Sequence, residues 1–174
     1  MGGNLKSLKR LTRQQKTFNA AFNVGESLNF SYRVDGEIFR DIKLIDNPEA
    51  RNPTYTDVVN FLKSDKTDEI PYTDEFSCME FAATVHNNAE EKGLRCAVAI
   101  VEFEDIRHAC NVFKTVDRGV VFSDSAGSRQ GYYPRDSFVK VQVGKPYMPR
   151  IIPNLVKCPS MPSMGIVESV CMIW

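Results

Sequence analysis

Three residues whose side-chain types supply the parts of a thiol nucleophile are spread along this sequence: Cys78, His108 and Asp124. A cysteine acts as a nucleophile in its thiolate form. A neighbouring imidazole takes the thiol proton, and a carboxylate holds the imidazole in one tautomer and stabilises its cation. Each residue alone is also typical of an ordinary core or turn position, since free cysteine is among the most buried residue types. The hypothesis of a catalytic triad therefore depends on the fold bringing all three side chains together.

Cys78 stands at the start of a predicted helix. Ser77 and Glu80 have the spacing of a capping box, and Gly93 is suited to the position just past a helix end. Amides of the first turn have no partner within the helix, and the helix dipole is positive there, so a thiolate is stabilised. The apolar positions continue one face of this helix: Phe81, Ala82, Val85 and Ala89.

His108 and Asp124 fall on two predicted antiparallel strands. After a nearly continuous apolar strand over 96–103, residues 106–116 alternate in polarity and carry His108 on one face. A turn at 117–119 leads to a strand that ends at Asp124. If Val116 pairs with Val120, Asp124 is offset from His108 by four residues, about 13 Å. Strand twist, a diagonal contact or a bulge must then bring the two side chains together.

Two alternatives compete with this triad. His86 is the other histidine, but eight residues along a helix place it about 12 Å from Cys78, so we expect it on the helix flank. The second alternative is a structural zinc site formed by three cysteines and a histidine, which lack the paired C-x₂₋₄-C spacing of such sites. Its four members would be Cys78, Cys96, His108 and Cys110.

The rest of the chain supplies supporting elements. Residues 28–44 alternate about Asp35-Gly36, which predicts a hairpin. Thr54 and Asp57 form a second capping-box pattern before a short helix. The acidic stretch 64–75 is interpreted as a solvated linker rather than a calcium loop, because its spacing is not that of a known site. We expect a strand over 138–143, a surface excursion over 144–165 and a last strand over 166–174.

Composition excludes several classes of protein. The 22 basic residues balance the 22 acidic ones, so no field for nucleic acid is expected. Five cysteines without framework spacing argue against a disulfide scaffold and favour a reducing, cytoplasmic setting. No apolar run approaches the roughly 20 residues of a membrane helix, and the basic segment 1–25 is interpreted as an arm rather than a membrane anchor. No cofactor is predicted, and the oligomeric state is left open.

Longer stretches around the three residues carry a resemblance to a known group of enzymes. They are Phe76-Ser77-Cys78 with Phe81-Ala82, the run from His108 to Phe113, and the run from Gly119 to Asp124. In these the chain resembles the transglutaminase-like superfamily of cysteine enzymes. Three further stretches resemble small prokaryotic domains of that superfamily: 61–68, 86–90 and 165–167. The likeness covers about residues 50–174.

The resemblance implies a fold, a division of the chain and an activity. The fold would be α+β and papain-like, a central helix packed on an antiparallel sheet, with residues 1–49 as a basic arm and hairpin. The activity would be cysteine-dependent acyl transfer on a protein or peptide amide, ending in hydrolysis or transamidation. Tyr72 is the nearest candidate for a side-chain oxyanion donor. Cys110 departs from the superfamily, which often has an aromatic residue there. The alternative is a non-catalytic interaction module that keeps the fold.

Overall fold

A computed structural model describes residues 17–20, 27–34, 38–126, 136–150 and 164–174 of the chain. Most of the basic arm, the turn of the first hairpin and the loop after Asp124 lie outside these ranges. Among the helices within them, none combines the length and apolar character that crossing a bilayer requires.

The core of the fold is a seven-stranded sheet, in the order β1-β9-β4-β5-β6-β7-β8. Neighbouring strands are antiparallel except β1 and β9, which are parallel. Its strands are β1 (Thr17–Ala20), β4 (Ala97–Glu102), β5 (Arg107–Thr115), β6 (Gly119–Asp124), β7 (Ser137–Lys140), β8 (Met148–Arg150) and β9 (Ser169–Ile173). A separate hairpin consists of β2 (Ser27–Val34) and β3 (Ile38–Ile45), in which Leu28 pairs with Leu44. The pairing of Val34 with Ile38 leaves three residues between the strands rather than the expected two.

Two helices pack on this framework, α1 (Tyr55–Ser64) and α2 (Cys78–Glu91), with a short 3₁₀ turn between them at Thr67–Glu69. Helix α2 lies between the sheet and the hairpin. One buried cluster joins the three layers, and its members are Ile42, Leu44, Met79, Ala82, Ala83, Val98, Ala109 and Ile173. The α+β class and the central helix on a sheet are thus confirmed, and the hairpin packs directly on that helix.

The ends of α2 follow the predicted signals. Ser77 is the N-cap residue, and its amide and hydroxyl both donate to the Glu80 carboxylate at 2.8 Å. Arg40 of β3 lies 3.4 Å from the same carboxylate. Gly93 follows the helix at φ +75°, the left-handed conformation that favours glycine. The first turn, which begins with Cys78, is therefore held by the capping box and by the hairpin.

Polar side chains bind α2 to the layers on either side. The Asn87 amide group bonds the exposed edge of β3, accepting from the Ile45 amide and donating to the Lys43 carbonyl, both at 2.9 Å. Toward the sheet, the Asn111 amide donates to the Ala82 carbonyl at 2.8 Å. Directional bonds such as these restrict sliding of a helix that apolar packing alone would leave less specified.

The register of β5 and β6 differs from the one expected. Thr115 pairs with Gly119 instead of Val116 with Val120, so β6 is shifted by two residues along β5, although either pairing leaves three residues in the connection. Gly119 adopts φ +70°, and the Thr115 hydroxyl donates to its carbonyl at 2.8 Å. The glycine can adopt this left-handed conformation at the point where pairing begins, and the change of register moves the whole of β6.

Three local expectations were wrong. The acidic linker is not wholly solvated, because Asp65 is buried and accepts from the Asn88 side chain at 2.7 Å. Strand β7 is shorter than 138–143, and β8 follows within the segment expected to be a surface excursion. The short strand β1 was not anticipated at all.

We expect Asn87→Ala to lower the free energy of unfolding by about 1 to 2 kcal/mol, because two hydrogen bonds to the edge of β3 are lost together. Urea denaturation monitored by circular dichroism measures this loss. Asn60→Ala is the matched control, an exposed asparagine on α1. Equal stability of the two variants would show that Asn87 does not hold the hairpin.

Candidate active site

The site forms where β5 and β6 separate. The register, continued by one residue beyond the pair Asn111 and Ser123, sets Asp124 opposite Cys110. Asp124 is then two residues from the position opposite His108, about 7 Å along the strand. A diagonal contact spans such an offset. The His108 Nε2 atom lies 2.6 Å from Asp124 Oδ2, and both side chains are buried.

Asp124 is surrounded by donors. Its Oδ2 atom accepts from the Tyr147 hydroxyl at 2.7 Å as well as from His108. Its Oδ1 atom accepts from the Ala126 amide at 3.0 Å. Burial by itself raises the pKa of this carboxyl, but the charge and hydrogen bond of His108, with the Tyr147 and Ala126 donors, hold it below its usual value of 3.8. The group is therefore a carboxylate at neutral pH.

The Cys78 thiol meets the other side of the imidazole. The His108 ring and the Ala109 amide are the neighbouring groups that lower the pKa of this thiol. Because Nε2 faces Asp124, the remaining ring nitrogen Nδ1 is the one available to the thiol. The pairing of β5 with β6 ends at Asn111, which leaves Ala109 beyond the ladder on that side. The start of α2 thus lies against the part of β5 whose backbone no longer pairs with β6.

The electrostatics of the site favour charge separation. Burial alone would lower the pKa of His108, but the Asp124 carboxylate and the Cys78 thiol outweigh it and raise that pKa to about 10. Burial alone would likewise raise the pKa of the Cys78 thiol, yet the hydrogen bond and charge of His108, with the Ala109 amide, bring it below its usual value. A thiolate beside an imidazolium is the arrangement that these opposing effects stabilise.

Tyr72, the candidate oxyanion donor, packs near the start of α2. Its ring stacks on that of Phe81 at a centroid distance of 5.9 Å, and Phe81 lies one helical turn after Cys78. Tyr72 is half-buried. The structure thus brings Cys78, His108 and Asp124 together and places Tyr72 close to the same helix end.

His86 is not on the helix flank as expected. It is 1 % exposed and packs in the core, and burial lowers its pKa to about 4, against the opposing effect of the backbone near Cys96 and Ile45. A neutral, enclosed imidazole on the far part of α2 does not serve Cys78. The expected position on the helix flank was wrong, because packing against the sheet and the hairpin encloses this part of α2.

The cysteines of the zinc alternative have separate surroundings. Cys96 accepts from Asn111 at 3.6 Å, on the side of the sheet that faces the helices. Cys110 contacts Tyr147 on the opposite side. Burial raises the pKa of both thiols well above the usual value. In the part of the chain that the structure describes, no three histidine, cysteine or acidic side chains are placed to hold a metal ion together.

Two residues next to the site were not found from the sequence. Tyr147 lies in the segment expected to be a surface excursion, yet it is 1 % exposed. Asp136 precedes β7 and accepts from the Ser125 hydroxyl at 2.6 Å. Burial and three nearby acids raise its pKa to about 8, so this carboxyl is mostly neutral at pH 7. Neither residue lies in a periodic pattern or motif, so no local signal marks it.

We expect the His108–Asp124 pair to make stability fall as pH rises, measured in a Cys78→Ala chain to remove the thiol's own titration. In that chain the Asp124 carboxylate still raises the pKa of His108, and a histidine whose pKa rises above 6.5 on folding contributes stability fully below pH 6.5. That contribution is lost as the pH rises through the raised pKa. Adding Asp124→Asn should flatten the decline in urea-unfolding free energy between pH 7 and 9.5. An unchanged slope would contradict the ion pair.

Comparison with known proteins gives no match: no protein-family model matches the chain, and neither the curated proteins nor the solved structures contain a significant relative. No homologue therefore supplies a role for any residue described above.

Proposed function

We propose that this protein is a cysteine-dependent acyltransferase or hydrolase acting on amides of proteins or peptides. The observation that carries the proposal is one buried imidazole, His108, which bonds a carboxylate through Nε2 and meets the Cys78 thiol at a helix start. His108 is the common neighbour of a thiol and a carboxylate, and the pKa values of the three groups move in complementary directions, which supports a nucleophile, a base and an orienting acid.

In the first half of the reaction, His108 holds the thiol proton as an imidazolium while the Cys78 sulfur attacks the amide carbonyl carbon. The carbonyl electrons move onto oxygen to give a tetrahedral intermediate. When that intermediate collapses, the C–N bond breaks and the imidazolium gives its proton to the departing amine or ammonia. The acyl group remains on Cys78 as a thioester, and Asp124 keeps the imidazole oriented throughout.

In the second half, neutral His108 takes a proton from water or from a substrate amine, whose oxygen or nitrogen attacks the thioester. The Cys78 thiolate leaves and the imidazolium returns to its starting state. Water gives a carboxylic acid and an amine gives a new amide, so hydrolysis and transamidation are two outcomes of the same site. The glutamine side chain and the peptide bond are the two amide classes we propose as substrates.

The developing oxyanion needs donors that are already in place. The Cys78 amide, in the first turn of α2, lacks an intrahelical partner and is the first candidate. The Tyr72 hydroxyl is proposed as the second, on the basis of its packing beside Phe81. We propose further that the helix, sheet and triad form a papain-like fold in the transglutaminase order, and that the protein works in the cytoplasm.

We expect chloroacetamide to alkylate Cys78 at pH 7 at least about tenfold faster than Cys171, because the thiolate is the reacting form. Cys171 is a matched control, since it is also half-buried but burial and Glu102 raise its pKa. Peptide mapping by mass spectrometry gives both rates in one sample. His108→Ala should bring the rate at Cys78 to that of Cys171. Equal rates in the unmodified chain would end the proposal.

A panel of peptide and glutamine amides, incubated with and without a primary amine, tests turnover. The proposal expects an acyl-enzyme mass on Cys78 and product formation that Cys78→Ala abolishes. Asp124→Asn should reduce the rate by about 10⁴-fold, as loss of the orienting carboxylate does in related triads. A biological activity that survives Cys78→Ala would instead assign the chain to the non-catalytic interaction modules.

A further inference from the structure

We infer that Tyr147 is a positioning residue of this site, which acts through the Asp124 carboxylate. The inference rests on the proposed function for its catalytic meaning, but the bond itself is tested separately. Tyr147 lies just before β8, thirty-nine residues after His108 in the chain, and its hydroxyl donates to the same Oδ2 atom that accepts from His108.

The backbone of Tyr147 is fixed by a neighbouring stretch of the chain. Its amide donates to the Gly165 carbonyl at 3.0 Å. Two further bonds connect the same stretches, from Gly144 to Val167 at 2.8 Å and from Val167 to Lys145 at 2.9 Å. The hydroxyl is thus presented to Asp124 by a segment bonded on both sides of the residue.

The ring of Tyr147 is enclosed by two other rings. It meets the His108 imidazole edge to face, with centroids 5.6 Å apart, and Phe103 in the same manner at 5.7 Å. On the other side, Tyr147 packs in a buried cluster that includes Cys110. The hydroxyl donates to Asp124 at 2.7 Å from a ring that is 1 % exposed, so water is excluded from this side of the pair.

The chemical effect follows from sharing a single oxygen. A donor on Oδ2 stabilises the negative charge of Asp124 and holds the carboxylate in the rotamer that faces Nε2. When that charge is better satisfied, less of the His108 positive charge is neutralised by Asp124, and more of it acts on the Cys78 thiolate. Removing the hydroxyl leaves the Asp124 charge less stabilised and its carboxylate less firmly held toward Nε2. Each of these changes reduces the stabilisation of the Cys78 thiolate by His108.

Among the described residues, the titratable groups beside the His108–Asp124 pair include the Cys78 thiol and the Asp136 carboxyl. The thiol of Cys78 faces His108, the Ala109 amide and, farther away, Asp124. Asp124 also interacts electrostatically with the neighbouring Asp136 carboxyl, which accepts from the Ser125 hydroxyl and is mostly neutral at pH 7. None of these groups is altered by Tyr147→Phe, which keeps the ring and its two aromatic contacts and removes a single oxygen.

The first test is the pH dependence of Cys78 alkylation by chloroacetamide in the full chain. We expect Tyr147→Phe to move the low-pH limb to higher pH by about one pH unit, a tenfold loss of rate on that limb. Tyr55→Phe is the matched control: it loses the same hydroxyl, while its ring stays on Phe138 at 5.0 Å. A low-pH limb that does not move overturns the inference, whatever the stability of the variant.

The second test needs no reactive thiol. A double-mutant cycle compares Tyr147→Phe in the wild-type chain and in Asp124→Ala, by urea unfolding at pH 7. We expect the folding equilibrium constant to fall about tenfold in the first background and less than about twofold in the second, where the hydroxyl has lost its charged acceptor. If Asp124→Ala does not fold, Asp124→Asn replaces it, and the cost should still be smaller than in the wild-type chain.

The two tests separate the inference from the proposed function. If Cys78 of the wild-type chain reacts no faster than Cys171, the proposed function fails and the cycle alone decides whether Tyr147 holds Asp124. Equal costs in the two backgrounds show that Tyr147 contributes packing only, and the inference is overturned. Coupling in the cycle together with a moved low-pH limb supports the positioning role.

Discussion

The buried contact between His108 and Asp124 is the interaction on which the rest of the site depends. A charged pair 2.6 Å apart, with both side chains buried, is stable only when its remaining lone pairs and protons are satisfied. Here the carboxylate has two further donors, the Tyr147 hydroxyl and the Ala126 amide, and the imidazole has the Cys78 thiol. Together with the pair itself, these partners come from four separate parts of the chain. The pair therefore ties the helix start, two strands and the segment before β8 to one point.

Helix α2 positions the sulfur that this pair serves. Its start is held by the capping box of Ser77 and Glu80. Farther along, the bonds of Asn87 and Asn111 hold the helix in position between the hairpin and the sheet. Near its other end, the buried Glu90 carboxylate accepts from the Cys96 amide at 2.8 Å. A helix bound by directional contacts along its whole length has little freedom to shift. The position of the Cys78 thiol, at the first residue of the helix, is therefore restricted as well.

The two sides of the sheet have different roles. Toward the helices, Phe113 and Cys96 pack with α1 and α2 in an apolar core. On the opposite side, Cys110 and Val112 pack with Tyr147 and the last part of the chain. The site lies where β5 extends past the end of β6, so that groups from both sides reach one strand end. A sheet that stayed paired over its full width would have left the Ala109 amide in the ladder and out of reach of the thiol.

Local patterns determined much of this protein. The capping box at Ser77, the apolar stripe of α2, the change to alternating polarity around His108 and the hairpin over 28–44 are short-range signals, and each appears where the sequence places it. Such signals work because helix ends and strand faces are decided by neighbours a few residues apart. They were sufficient to name Cys78, His108 and Asp124 as the residues that must meet.

Only the tertiary structure decided how those residues meet and what surrounds them. The strand offset depends on Gly119 adopting a left-handed conformation where pairing begins, and nothing in the alternation of β5 and β6 distinguishes the two registers. Tyr147 reaches Asp124, and His86 is enclosed in the core, through contacts with segments distant in the chain. Contacts of that kind leave no periodic trace in sequence, because burial at a single position is set by the three-dimensional packing of remote elements rather than by the residue's neighbours.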